Sequence, residues 1–511
     1  MLATLDQLPL EILHLIVRYL RADYEQQEPP QQEPDQPSWY SLRLQPLLSL
    51  CLVSKQLCAT IQPILYHEFM PGYGGSWRSR LYSWDRRLAS FVRTVAQRRD
   101  LAACVKHVYL HPYLLNSLED HREDGEHAVL GGHVACVMDY PEVPALPEWH
   151  QTEVEEIKDV IQEAGKALRI KRQTLNRLSA SDLFSLLIAE LPNLQHCSID
   201  IGTWPLEIVR AAPLSAAGIS HLPLRTIDLS LHAAANRINL LSLERRVRAL
   251  LEASPDVETL NIHMCSETWR RSPFPSLRSL KHLRITFSRL SDEALKAMLY
   301  SCNSLRSFSY EAGGRPFDGR HELGDGRDHF RLIHAVNYLE RHCGTLESLH
   351  LDLRRRGNCP DGSDPRAVFS FQQFRALKHL FVNLDELHTR FWGGSPGDAA
   401  QLLANLLPPS IESLHLAGHI GDELRRLEKS LIGLAEASSE GRFPILKEVR
   451  WSKNEELHNE LDIRTAFAST GVYFDYDHWP AMRSTLGDGD YSPYPNYLDP
   501  GALPDISDSD L

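Results

Sequence analysis

The chain has 511 residues, enough for about three domains at roughly 150 residues each. Hydrophobic residues make up 43% and charged residues 24%, an ordinary globular balance that excludes a collagen, a coiled coil or a wholly disordered chain. The net charge of −13 is localised: residues 22–39 and 487–511 supply eleven acidic groups and no Lys or Arg, leaving a nearly neutral body without the basic surplus that phosphate binding needs.

Nine cysteines are scattered without a C-x-x-C pair, and no N-x-S/T acceptor occurs. Reduced thiols in an intracellular compartment suit this pattern better than a disulfide framework or a structural zinc site. Asp6 and Glu11 interrupt the first apolar residues and no basic segment precedes them, which argues against a signal peptide. No apolar run approaches the ~18 residues of a membrane span, so a membrane is not expected as a partner, and the near-neutral body argues against a nucleic acid.

Residues 1–70 read as three short helices with an insertion. Pro9 suits the first position of a helix, Glu11 favours its first turn, and Ile12, Leu13, Ile16 and Leu20 make one apolar face. Residues 22–39, rich in Pro, Gln and Glu, predict a disordered insertion. Pro46 restarts a helix through Leu47, Leu50, Leu52 and Val53, and Ser54 caps a third helix carrying Leu57 and Ile61.

Leu8, Pro9, Glu11 and Ile12, then the block from Leu47 to Leu57, closing with Leu65 and Tyr66, resemble the F-box motif. Leu57 stands where many members carry Trp, and the insertion lengthens the first connection. The resemblance implies a trihelical module docking on a Skp-type adaptor, and through it a cullin, in an SCF ubiquitin ligase. It further implies that Leu8, Pro9, Glu11, Ile12, Ile16, Val53, Leu57 and Leu65 form or support the adaptor-facing surface.

Residues 71–190 predict a helical linker region with one early strand near 105–110. Trp77, Arg78, Arg80, Tyr82, Trp84, Arg86 and Arg87 lead into a helix, an aromatic and basic stretch that suits either RNA or an acidic protein segment, or simply a solvated helix face. Residues 152–191 predict two helices separated near Ser179 to Ser181.

From 191 to 480 one pattern returns: apolar, two variable, apolar, one variable, apolar. Its copies are Leu194/Cys197/Ile199, Leu224/Ile227/Leu229, Val257/Leu260/Ile262, Leu280/Leu283/Ile285 and Leu305/Phe308/Tyr310. Leu346/Leu349/Leu351, Leu377/Leu380/Val382, Ile411/Leu414/Leu416 and Leu446/Val449/Trp451 follow, with Val105/Val108/Leu110 as an earlier copy. Each predicts a short strand whose alternate residues enter a shared core, with helical segments between copies, for instance after a Ser291 cap. The array resembles irregular leucine-rich repeats, with wide spacing and inserts at 311–328 and 354–370. Residues 481–511 predict an acidic disordered tail.

The fold expected is thus an α/β solenoid, a trihelical F-box followed by helices and a repeat array with a parallel sheet. Its strand positions place His350, Phe381 and His415 side by side on one face, with His379 beside them, as candidates for contacting a protein substrate. His350 and His415 would lie ~10 Å apart, too far for a shared metal unless their side chains converge; a partner-contacting face titrating near pH 6.5 and plain solvated histidines are the alternatives. Ser395 in Gly393–Gly397 matches a nucleophile elbow in letters, but Pro396 lacks the N–H an oxyanion hole needs, so a helix start explains it better. His329, His334, His342 and Cys343 lie on one predicted helix and read as structural or exposed. No catalytic residue, cofactor or metal set is expected. The reading is a non-catalytic substrate receptor of an SCF ligase; the alternative is a repeat scaffold whose F-box does not support ubiquitylation.

Overall fold

The computed structural model describes residues 8–20, 32–82, 86–111, 114, 151–178, 182–201, 208–231, 241–267, 273–312, 330–353, 370–384, 396–418, 424–452 and 456–477. The first part of the acidic insertion, both long inserts beyond Ala312 and Leu353, the tail, Trp84, His329 and Ser395 lie outside these residues. The chain divides into two compact units, chiefly Met1–Leu224 with Arg246–Ser254, and Arg225–Arg245 with Pro255–Thr485.

The first unit opens with three helices, α1 Leu10–Leu20, α2 Trp39–Val53 and α3 Lys55–Leu65. Leu13, Val17, Leu47, Leu57 and Ile61 make their core, with Leu8, Leu50, Cys51, Ile64 and Leu65 packed against it. The Ser54 hydroxyl accepts from the Leu57 N–H at 3.2 Å, satisfying an orphan donor at the start of α3.

Two expectations are corrected here. Helix α2 begins at Trp39 rather than Pro46, which lies inside it. Buried anchors hold its first turn: the Trp39 backbone N–H donates to Gln32 Oε1 at 2.9 Å, its indole donates to the Gly74 carbonyl at 3.0 Å, and the Tyr40 hydroxyl accepts from Met70 N at 3.0 Å. The second half of the insertion is likewise fixed. Gln32 is buried, Ser79 Oγ donates to the Gln36 carbonyl at 2.5 Å, and Arg80 N donates to the Pro34 carbonyl at 2.8 Å. Composition could not reveal this, because the partners lie some forty residues away.

The module runs directly into a parallel sheet. Strands β1 Glu68–Phe69, β2 His107–Leu110 and β3 His196–Ile201 pair with Phe69 opposite Val108 and Val108 opposite Cys197. The early strand expected near 105–110 is β2, which sits between β1 and β3. Helices α4 Arg87–Gln97, α5 Gln151–Ala167 and α6 Leu183–Glu190 add buried Val92, Val95, Val160, Leu186 and Leu187.

Among the described residues of the second unit, nine strands belong to one parallel sheet: β4 Thr226–Leu231, β5 Thr259–His263, β6 His282–Ser288, β7 Ser307–Ala312, β8 Ser348–Asp352, β9 His379–Asn383, β10 Ser413–Ala417, β11 Glu448–Ser452 and β12 Tyr473–Asp477. Each pairs with the next in chain order. Every residue of the ten apolar triplets is buried, as a repeat solenoid requires. Register keeps them stacked, with Phe308, Leu349, Leu380, Leu414 and Val449 opposite one another in turn. Between strands, α7 Asp292–Ser301, capped by Ser291 Oγ accepting from Ala294 N at 3.2 Å, buries Leu295, Met298 and Leu299. Helices α8 Leu332–Leu339, α9 Leu424–Ser439 and α10 Glu460–Thr470 do the same further along. Over 241–252 the chain forms a short strand, Leu241–Ser242, and two short helices, Leu243–Arg246 and Arg248–Glu252, broken at Val247.

Among the described residues no helix is long and apolar enough to cross a membrane.

Candidate functional site

Two surfaces carry the candidate site residues. The first is the trihelical module. Its core consumes Leu57, only 1% exposed, so this residue supports the surface from below and cannot touch a partner. Leu8, Ile16 and Leu65 are half-buried, while Pro9, Glu11, Ile12 and Val53 are exposed. The structure adds Leu15, Leu48 and Leu52, the last 88% exposed, at the surface of α1 and α2. Exposed apolar side chains grouped on one small module are a partner signal rather than a packing need. Sequence reasoning missed Leu48 and Leu52 because α2 carries leucine on all sides, and periodicity alone could not separate buried Leu47 from its exposed neighbours.

The second surface is the sheet face between the apolar positions. In register it carries Asp228, Asn261, Arg284, Ser309, His350, Phe381, His415, Arg450 and Asp475, one from each strand from β4 to β12. His350 and Phe381 stack with ring centroids 4.0 Å apart and an 8° interplanar angle. Phe381 is 4% exposed, so it braces the face and offers no free ring, against the expectation that it contacts a substrate. His379 is exposed at the start of β9, opposite Ser348 and Ser413. Phe381 stands between His350 and His415 in the ladder, which keeps the two imidazoles from sharing an ion.

His415 belongs to a different group. Ser413 Oγ lies 2.7 Å from its Nε2 and donates to Glu448 Oε1 at 2.6 Å; the same Nε2 is 3.3 Å from that oxygen. Serine, histidine and carboxylate are thus together, yet both partners meet one ring nitrogen. A proton relay needs the acid on one nitrogen and the serine on the other, so the set cannot work as a nucleophilic triad. Arg450 donates to Glu448 Oε2 at 3.0 and 2.9 Å and to Asp477 Oδ2 at 2.7 Å; Arg464 donates to Asp475 Oδ1 at 3.0 Å and Glu460 Oε1 at 2.6 Å. Burial disfavours the Glu448 charge, but donors on Ser413, Arg450 and His415 outweigh it and hold the carboxyl at about 2. Burial also holds His415 below the ordinary histidine value, despite the Glu448 carboxylate.

In the aromatic, basic stretch and the helix it leads into, the described rings of Trp77, Tyr82 and Phe91 make contacts within the chain. Tyr82 is buried with the Arg87 guanidinium 4.3 Å from its ring centroid, Trp77 stacks on His111 at 5.5 Å, and Phe91 stacks on Phe69 at 4.0 Å. His342 is buried, its Nδ1 accepting from Leu305 N at 3.4 Å and its Nε2 bonding the Leu299 carbonyl at 3.1 Å, a bridge between neighbouring repeats. His334 pairs with Asp292 at 2.8 Å. Among the described residues one group, His67, Glu68 and His107, brings metal-competent donors together. Of its members only His107 stands at a recurring position, since histidine precedes the second apolar residue at 107, 196, 282 and 379.

Residues 258–474 match the leucine-rich repeat domain family, a span that covers β5 to β11 and reaches into β12. A search of curated proteins found no match to the chain. Repeats of this kind bind proteins, and that coarse function is what the match supports.

Proposed function

We propose that this chain is the non-catalytic substrate-recognition subunit of an SCF-type cullin–RING ubiquitin ligase. The trihelical module would dock on a Skp-type adaptor and through it on cullin, and the repeats would hold a protein substrate. The observation that carries this reading is the exposed apolar set of Ile12, Leu15, Leu48, Leu52 and Val53 on a module whose own core is already filled by Leu13, Val17, Leu47, Leu57 and Ile61. The F-box resemblance of the same residues supplies the adaptor's identity. Function by tethering needs no catalytic set: holding substrate beside a conjugating enzyme raises its effective concentration. Such a role places the protein inside the cell.

Immunoprecipitation of the tagged full chain tests this. Recovery of adaptor and cullin together, lost with Leu52→Asp, supports the ligase reading; adaptor without cullin would move the chain to the scaffold alternative, and neither protein would remove the F-box role.

A further inference from the structure

We propose that His67, Glu68 and His107 form a site for one divalent transition-metal ion, best suited to zinc. His67 follows α3 by two residues, Glu68 opens β1, and His107 opens β2 as the register partner of Glu68, so the last two project on the same face of adjacent strands. One donor atom from each residue lies within 4.8 Å of the other two. His67 Nδ1 is 3.6 Å from Glu68 Oε1, and the His67 and His107 rings meet edge to face at 5.1 Å.

A tetrahedral ion with bonds of ~2.1 Å sets its ligands ~3.4 Å apart, so side-chain rotations of about an ångström close the site without moving the backbone. The backbone is already fixed, because the His67 carbonyl accepts from Lys106 N at 2.9 Å and His107 N at 3.2 Å. The His67 and Glu68 side chains are 23% and 13% exposed, which leaves an entry path while shielding the charges. Two imidazoles with one carboxylate select zinc over magnesium or calcium, which take oxygen ligands.

His196, opposite His107 on β3, adds an outer contact: its ring centroid is 5.3 Å from that of His107, and its Nε2 is held 3.0 Å from Ser198 Oγ. Such contacts orient a ligating imidazole. A bound ion would pin the end of α3 to β2, tying the trihelical module to the first strands of its own unit. The proposal does not depend on the ligase reading.

Equilibrium dialysis of the full chain against zinc, with bound metal counted per chain, tests it. The His67→Gln/His107→Gln variant is expected to hold one zinc fewer than the natural chain. Glu68→Gln, isosteric and expected to keep the natural circular dichroism spectrum, should weaken that equivalent roughly tenfold or more. Cobalt should give a tetrahedral visible band in the natural chain that both variants diminish. A folded Glu68→Gln variant that binds zinc with unchanged number and affinity, or a natural chain that takes up none, overturns the proposal; this holds even if the double histidine variant fails to fold.

Discussion

Leu52 and Leu57 flank the Ser54 helix cap and meet opposite fates: Leu52 is 88% exposed at the end of α2, and Leu57 is 1% exposed in the core below. Substitution at the two sites should therefore separate stability from binding. Leu57→Ala is expected to cost about 2–5 kcal/mol, read as a lower urea midpoint. Leu52→Asp should leave the stability within about 0.5 kcal/mol of the natural chain while weakening the binding of any partner of this surface.

The Glu448 carboxyl makes stability depend on acid. Its folded value of about 2 lies below the ordinary 4.5, so its contribution is complete above about 4.5 and is lost as the pH falls towards about 2. Urea unfolding between those limits should show a shallower loss of stability in Glu448→Gln than in the natural chain. Equal slopes would mean that the bonds from Ser413 and Arg450 do not hold the charge.

Gly433 marks a close approach inside the second unit. A β-carbon there would overlap the Ala400 carbonyl of the turn Pro396–Gln401, so α9 can lie against that turn only with glycine at this point. Gly433→Ala, which ordinarily favours a helix, should instead destabilise by about 1–3 kcal/mol or more in chemical unfolding.

The buried Glu428 carboxylate accepts from His458 N, from Asn459 N at 3.0 Å and from Asn459 Nδ2 at 2.7 Å, closing the start of α10 from the neighbouring α9. Glu428→Ala leaves those donors unsatisfied, with an expected loss of about 2–4 kcal/mol. Hydrogen exchange of the α10 amides should rise in the same variant.

Ten of the strands were legible because an apolar triplet must recur wherever a parallel repeat buries alternate residues. Strand β12 was not, since Gly471, in the left-handed region at φ 76°, takes the place of the first apolar residue and only Phe474 and Tyr476 follow the pattern. Strand β1 is two residues long and offers only Phe69. The three-helix module was readable from its blocks, but its surface was not, because burial among leucines depends on packing partners. The metal-competent group was hidden for a further reason: His67 and His107 meet only through a strand pairing that joins residues forty apart.

The most direct test of the central claim is the affinity of the purified full chain for a purified Skp-type adaptor, measured by calorimetry beside Leu52→Asp/Val53→Asp. Deleting residues 1–70 would also remove β1, so point variants isolate the surface better than truncation. Saturable binding by the natural chain, weakened by roughly 2 kcal/mol or more in the folded double variant, is the predicted result. No binding, or equal binding by both, would contradict the assignment of the trihelical surface to the adaptor.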